Sequence, residues 1–336
     1  MLFTESIEEV ISALPEQNAF ILCDENTALL CYPLLSLELP LIVIPAGEEN
    51  KNLDSCDYIW SELIKHGADR QSTLVCLGGG MICDIGAFAA ATFQRGIDHI
   101  LVPTTLLAIV DASTGGKCGV DFKSYKNYIG LFKEASQLII CPKFLLTLEQ
   151  KERVNGWVEM LKHGLIANTE HYNKSVSFAS NLDTMDSDLI KRSIEIKNDH
   201  CKRDFMETGI RKRLNFGHTI GHAIESLSLE LRKPLSHGIS VAYGIVVEAF
   251  LSNKVWSLTD VELERILIDF KAFLPELDEE LRDKDSLMSF MKKDKKNWDG
   301  KTMFSLLNHI GSAQENLHVE QEHILDGLDQ LNHHFS

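Results

Sequence analysis

Asn215-Phe-Gly-His-Thr-Ile-Gly-His-Ala-Ile-Glu225 places two imidazoles and a carboxylate within about three helical turns. His218 and His222 stand at i and i+4, so on any helix that contains them they share a face. That spacing suits a divalent metal. It also arises on helices that bind nothing, so the neighbours must decide.

Glu159-Met-Leu-Lys162-His163 sets an amine and an imidazole three and four residues beyond a carboxylate. This is a second polar helical face, or an ordinary surface ion pair. Lys197, Glu207 and Arg211 lie just upstream of the histidine stretch. His237 opens a small-residue apolar run that ends at Glu248. It either caps that helix or completes a carboxylate–His–His site with Glu159 and His218, leaving coordination positions open as a catalytic zinc site does. Met291-Lys-Lys-Asp-Lys-Lys296 is a basic run, read as a solvated face or as a lid over an anionic substrate.

The first half carries a different chemistry. The apolar run Thr73–Leu77 leads into Gly78, Gly79 and Gly80, then Asp84 and a small-residue helical run to Thr92. Glycines there either make a tight turn under a close-packed helix or let backbone amides reach a pyrophosphate at a helix N-terminus. The pattern is not GxGxxG. Asp111-Ala-Ser-Thr-Gly-Gly-Lys117-Cys-Gly-Val-Asp121 gathers hydroxyls, carboxylates and a lysine in what reads as a functional loop. Lys126 and Asn127 add a cation and an amide donor.

The elements that must position these groups change along the chain. Ala19–Cys23, Leu41–Ile44, Thr73–Leu77 and His99–Val102 are continuous apolar runs alternating with helical patterns, as in a parallel sheet buried on both faces. From about Phe144 long amphipathic helical patterns take over. The boundary is placed near Cys141–Glu152, giving an α/β domain with a mostly parallel sheet over residues 1–147 and an all-α domain over 148–336. Glu320 to Ser336 reads as a final amphipathic helix.

The 336 residues carry 33 Lys+Arg against 49 Asp+Glu, a net charge of −16. This excess argues against non-specific binding to nucleic acid or an anionic membrane, so cations for an anionic ligand must be gathered locally. Eight cysteines are scattered singly without CxxC, the pattern of reduced thiols in a cytoplasm. The N-terminus lacks the basic and apolar regions of a signal or transit peptide, and no run has the roughly 18 apolar residues a membrane span requires.

The ordered set of motifs resembles the 3-dehydroquinate synthases, sugar phosphate cyclases of the shikimate pathway. It runs from Pro45-Ala-Gly-Glu-Glu-Asn-Lys51 through Gly78–Asp84, Thr92-Phe-Gln-Arg95-Gly96, Pro103-Thr-Thr105, Gly115-Gly-Lys117 and Lys126-Asn127 to Glu159-x-x-Lys162, Asn215-Phe-Gly-His218, His237-Gly238 and Asp294-Lys-Lys296. The resemblance implies NAD and a divalent metal, zinc or cobalt, held by Glu159, His218 and His237. It implies NAD contacts from Asp24, Asn26, Glu48, Lys51, Gly78, Gly79, Gly80, Asp84, Thr104, Thr105, Lys126, Phe144, Thr147 and Glu152. Substrate contacts would be Asp111, Lys117, Asn127, Lys162, Lys197, Arg211, Asn215, His222 and a lysine of the Lys292–Lys296 run. It further implies a homodimer in which Arg95 reaches the neighbouring subunit's site.

The chemistry so implied is transient oxidation of 3-deoxy-D-arabino-heptulosonate 7-phosphate, phosphate elimination, return of the hydride and intramolecular aldol closure to 3-dehydroquinate. Cys118, Asp121 and Ile239 depart from the family's usual Thr, Asn and Glu. The related 2-deoxy-scyllo-inosose and epi-valiolone synthases share the metal and cofactor apparatus, and metal-dependent polyol dehydrogenases share the two-domain plan. Lys197, Arg211 and Asn215 favour the carboxylate-bearing substrate. An inactive descendant that merely binds a nucleotide or a partner is a further reading.

Overall fold

The computed structural model describes residues 1–123, 125–179, 186–293 and 302–336. The chain divides into two compact units, Met1–Gly156 with Asp183–Ser187, and Trp157–Leu182 with Asp188–Ser336.

The first unit contains, in chain order, β1 (Leu2–Phe3), β2 (Ala19–Asp24), β3 (Leu41–Ile44), β4 (Thr73–Gly78), β5 (Asp98–Pro103), β6 (Lys117–Phe122), β7 (Tyr125–Phe132) and β8 (Gln137–Ile140). Six of these form one parallel sheet in the order β1-β8-β5-β4-β2-β3. Ile21 pairs with both Leu41 and Val75, and Leu77 with Val102.

The strand runs are unbroken because both faces are buried. Phe20, Leu22, Leu74 and Cys76 pack with Ile59, Leu63, Ile82 and Ile85. The alternate residues Ile21, Cys23, Val75 and Leu77 pack with Val10, Leu35 and Phe144. The helices of this unit are α1 (Ile7–Ala13), α2 (Glu25–Leu30), α3 (Tyr32–Leu35), α4 (Leu53–Lys65) and α5 (Gly80–Thr92). A Cβ on Gly86 of α5 would lie 2.3 Å from the Cys76 sulfur, so only glycine lets this helix sit so close to β4.

The four runs expected as strands are β2, β3, β4 and β5. β1, of two residues, is too short to stand out as a sequence pattern, and β8, as short as β3, lies outside the four expected runs. The expected polar loop at 111–127 is in part the antiparallel hairpin β6–β7. Val120 and Cys118 are buried on it while Tyr125, Lys126, Asn127 and Tyr128 are exposed.

The second unit is largely helical. Its elements are α6 (Gln150–Ala167, entering the unit at Trp157), α7 (Thr169–Phe178), α8 (Ser187–Arg203), α9 (His218–Glu230), α10 (His237–Val255), α11 (Asp260–Lys271), α12 (Lys284–Lys293) and α13 (Gln321–His334). The expected final helix is α13. One antiparallel hairpin, β9 (Met303–His309) with β10 (Ser312–His318), stands among the helices where a purely helical domain is expected. Phe304, Leu306 and Leu307 bury it, and Gly311 at φ +97° makes its turn.

Helices α9 and α10 meet at glycine. A Cβ on Gly244 would lie 1.9 Å from the Gly217 carbonyl oxygen, and one on Gly221 would lie 2.9 Å from the Val241 Cα. No helix among the described residues is long and apolar enough to cross a membrane. All eight cysteines are buried thiols outside any disulfide.

Candidate active site

His218 is the first residue of α9, following Gly217 at φ +81°. A side chain there would be strained by the left-handed backbone and would meet Ile245 at 2.4 Å. His222 lies one turn on, and His237 begins α10. Nitrogens of His218, His222 and His237 all lie within 4.8 Å of one another, so the i,i+4 pair does face a third imidazole.

The carboxylate of Glu159 on α6 is fully buried. Its Oε1 lies 3.6 Å from His218 Nε2 and 3.8 Å from His237 Nε2. Both rings are oriented from behind. His218 Nδ1 lies 3.2 Å from the Phe216 carbonyl oxygen, and His237 Nδ1 lies 3.4 Å from Glu225 Oε2. Oxygen can only accept at those contacts, so each Nδ1 carries a proton, and in the neutral rings each Nε2 turns its lone pair toward Glu159.

Glu159 Oε1 accepts no hydrogen bond. With neutral rings, buried acceptors face one another there, an arrangement that a cation between them would satisfy. Neighbouring ligands on a tetrahedral zinc stand roughly 3.4 Å apart, close to the separations found. The residues present therefore fit a divalent metal.

Cations and amides gather in the same unit. Lys162 is 1% exposed and ion-pairs with Glu159. Lys197 on α8 is 7% exposed and Arg211 is 2% exposed. Arg211 Nη1 donates to the Phe205 carbonyl at 2.7 Å, and its Nε lies 3.9 Å from Glu207 Oε2. Asn215 Nδ2 donates to the other Glu207 oxygen at 2.7 Å. Glu207 thus aligns the arginine and the amide, both carried by the 3-10 turn Ile210–Asn215. Lys292 is exposed on α12, while the Asp294–Lys296 part of the expected motif lies outside the described residues.

In the first unit Gly79 is the N-cap of α5 and offers no side-chain cap, so backbone N–H groups of the first helical turn are open to an anion. Gly78 and Gly80 flank it, and Thr104 and Thr105 follow β5; a Cβ on Gly79 would lie 3.0 Å from Thr105 Cγ2. Lys51 is buried among Glu48, Asp84 at 3.4 Å and Asp121 at 3.9 Å. Burial opposes its charge, but Asp84, Glu48 and Asp121 together outweigh this and hold the ammonium above the ordinary lysine pKa. Asp121 also accepts from the Asn127 N–H at 2.7 Å, and burial raises its carboxyl.

Other expected contacts are dispersed within this unit. Asp24 caps α2, accepting from the Thr27 N–H at 2.7 Å, with Asn26 on that helix. Phe144 is fully buried, and its carbonyl accepts from Thr147. Glu152 accepts from Asn155. Asp111 sits in the short turn Ala108–Ala112, Lys117 and Lys126 on the hairpin strands, and Arg95 is exposed at φ +71°.

Three acids around this cluster, Glu207, Glu225 and Glu248, lie outside the expected site residues. Glu225 shares the histidine motif and orients His237. Glu248 carries no local signal, because its partners belong to another helix.

A parallel α/β unit with a bare helix N-terminus, followed by a helical unit holding a carboxylate–imidazole cluster, defines the class of dehydroquinate synthase-like folds. Structural similarity agrees: 2-epi-5-epi-valiolone synthase from Streptomyces hygroscopicus, determined with NAD+ and Zn2+ bound, superposes with TM-score 0.88 at 24% identity, over 99% of this chain and 96% of that one. Residues 41–155 match the family model of the 3-dehydroquinate synthase N-terminal region, and 156–297 that of the C-terminal region. The 3-dehydroquinate synthase of Parabacteroides distasonis is 42% identical over 332 residues, covering 96% of this chain and 94% of that protein. That of Pyrococcus furiosus is 39% identical over 292 residues, covering 86% and 84%. The chain belongs to the 3-dehydroquinate synthase family.

Proposed function

We propose that the chain acts as a 3-dehydroquinate synthase, converting 3-deoxy-D-arabino-heptulosonate 7-phosphate to 3-dehydroquinate and phosphate. The observation that carries this reading is the convergence of His218 Nε2 and His237 Nε2 on a buried Glu159 oxygen that accepts no hydrogen bond. When bound, NAD supplies a reversible hydride acceptor and the divalent metal a Lewis acid for the substrate hydroxyl.

Glu159, His218 and His237 would hold the metal, zinc or cobalt. Lys162, tied to Glu159, and His222, facing both other imidazoles, stand beside the ligands and would contact substrate hydroxyls. Arg211 and Asn215, aligned by Glu207, would grip the substrate carboxylate with Lys197. Asp111, Lys117, Asn127 and a lysine of the Lys292–Lys296 run would serve the rest of the anionic substrate. Held by so many fixed groups, one flexible chain is kept in a ring-closing pose, and oriented intramolecular reactions reach effective molarities of order 10⁵ M.

The nucleotide would lie on the first unit, its pyrophosphate at the Gly78–Gly80 helix start. Glu48, Lys51, Asp84, Thr104, Thr105, Lys126, Phe144, Thr147, Glu152, Asp24 and Asn26 would surround it. A homodimer in which Arg95 reaches the neighbouring site, and a cytoplasmic location consistent with eight unbridged thiols, complete the reading.

Phosphate release from 3-deoxy-D-arabino-heptulosonate 7-phosphate, glucose 6-phosphate and sedoheptulose 7-phosphate, each with NAD and zinc, tests it. Turnover of only a substrate lacking the carboxylate would assign another cyclase. Net accumulation of NADH would assign a polyol dehydrogenase.

A further inference from the structure

Glu248 lies on α10, fully buried. Its Oε2 accepts from the Gly217 N–H at 2.6 Å, and its Oε1 from those of Thr219 at 3.1 Å and Ile220 at 3.3 Å. These are the opening N–H groups of α9, which no intrahelical carbonyl can satisfy. Gly217, the N-cap, has no side chain with which to do so. A carboxylate at this end also opposes the partial positive charge of the helix. The cap of α9 is therefore supplied by a different helix.

That arrangement depends on the close approach of the two backbones. Gly217, Gly221 and Gly244 leave no room for a Cβ between α9 and α10, and this brings Glu248 within reach of the α9 start. The capped N–H groups belong to the residues on either side of His218, whose ring is held at Nδ1 by the Phe216 carbonyl in the same turn. Glu248 is itself tied in place: Ser252 Oγ donates to its main-chain oxygen at 2.6 Å and accepts from the Leu307 N–H of β9 at 2.9 Å.

We propose that Glu248 is a positioning residue of the metal centre: it fixes the first turn of α9 so that His218 Nε2 meets Glu159 and His237. The inference rests on the reading of Glu159, His218 and His237 as metal ligands. Glu248 touches neither metal nor substrate, and acts through the backbone that carries His218.

The test uses the full chain stripped with a chelator, then titrated with zinc against a chromophoric competitor and saturated with cobalt(II) for its visible spectrum. In E248Q the side-chain NH2 faces N–H groups that need an acceptor. Zinc affinity should fall about ten- to hundredfold and the cobalt bands should move, while the far-ultraviolet circular dichroism stays as in the parent. Asn168→Ala, which removes the cap given to the His171 N–H at the start of α7, should lower the thermal midpoint yet leave zinc affinity and the cobalt spectrum unchanged. E248D keeps the charge but withdraws it by one methylene. It should show a smaller loss of the same kind, and it carries the test if E248Q does not fold. Parental zinc affinity and cobalt spectrum in the folded Glu248 variant would overturn the inference alone. A parent chain that takes up neither ion would overturn the metal reading and this inference with it.

Discussion

His218 Nε2 lies 3.6 Å from Oε1 of Glu159, a carboxylate oxygen that is buried and accepts no hydrogen bond. The contact joins α9 to α6 through the first imidazole of the motif, and the second lies one helical turn on, its ring centroid 5.1 Å from the first. His218→Ala should lose both stoichiometric zinc and turnover. His222→Ala should lose turnover by about two orders of magnitude or more and keep its zinc. Metal content by mass spectrometry beside phosphate release separates them, and loss of zinc from the His222 variant would make that residue a metal ligand as well.

Lys162 and Glu159 form an ion pair that is almost wholly withdrawn from water. Removing one member of such a pair leaves an uncompensated buried charge, at a cost of about 3–5 kcal/mol. Lys162→Met in the metal-free chain should be destabilised by about that amount. A divalent ion can then neutralise Glu159 in place of the ammonium, so zinc should raise the thermal midpoint of this variant more than that of the parent. Equal shifts would mean that the metal does not meet Glu159.

Asp121 is the third carboxylate around Lys51. Glu48 and Asp84 remain in Asp121→Asn, and the amide oxygen can still accept from the Asn127 N–H. One negative charge fewer beside the proposed dinucleotide site should tighten NAD binding a few-fold at low salt, with little change in stability. Calorimetric titration measures it. Binding weakened tenfold would instead make Asp121 a direct partner of the nucleotide.

His99 on β5 is 1% exposed, and neither ring nitrogen has a hydrogen-bond partner. Burial lowers its pKa from 6.5 to about 4, and burial likewise lowers that of His171 to about 4. Between those values the unfolded chain binds the proton and the folded chain does not, so stability falls as pH drops from about 6.5 toward 4. For His99 alone the loss at pH 5 is about 2 kcal/mol. Urea midpoints at pH 7.5 and pH 5 should reflect it, with a smaller difference in His99→Leu. An unchanged difference would show that another group titrates.

The parallel sheet is legible in the sequence, because apolar runs buried on both faces cannot alternate, and so is the helical second half, because amphipathic periodicity is local. The sequence also supplied the residue types of the site, since motifs such as Asn215–His218 and Glu159–Lys162 carry their chemistry within a few positions. β1 gave no signal, being only two residues long, and the hairpin β6–β7 was masked by its polar, exposed face. The HxxxH spacing put His218 and His222 on one face but did not say what that face meets. The meeting of Glu159, His218 and His237 and the capping of α9 by Glu248 are decided by tertiary structure. Each joins residues far apart in the chain, and side-chain periodicity within an element carries no information about which other element will be packed against it.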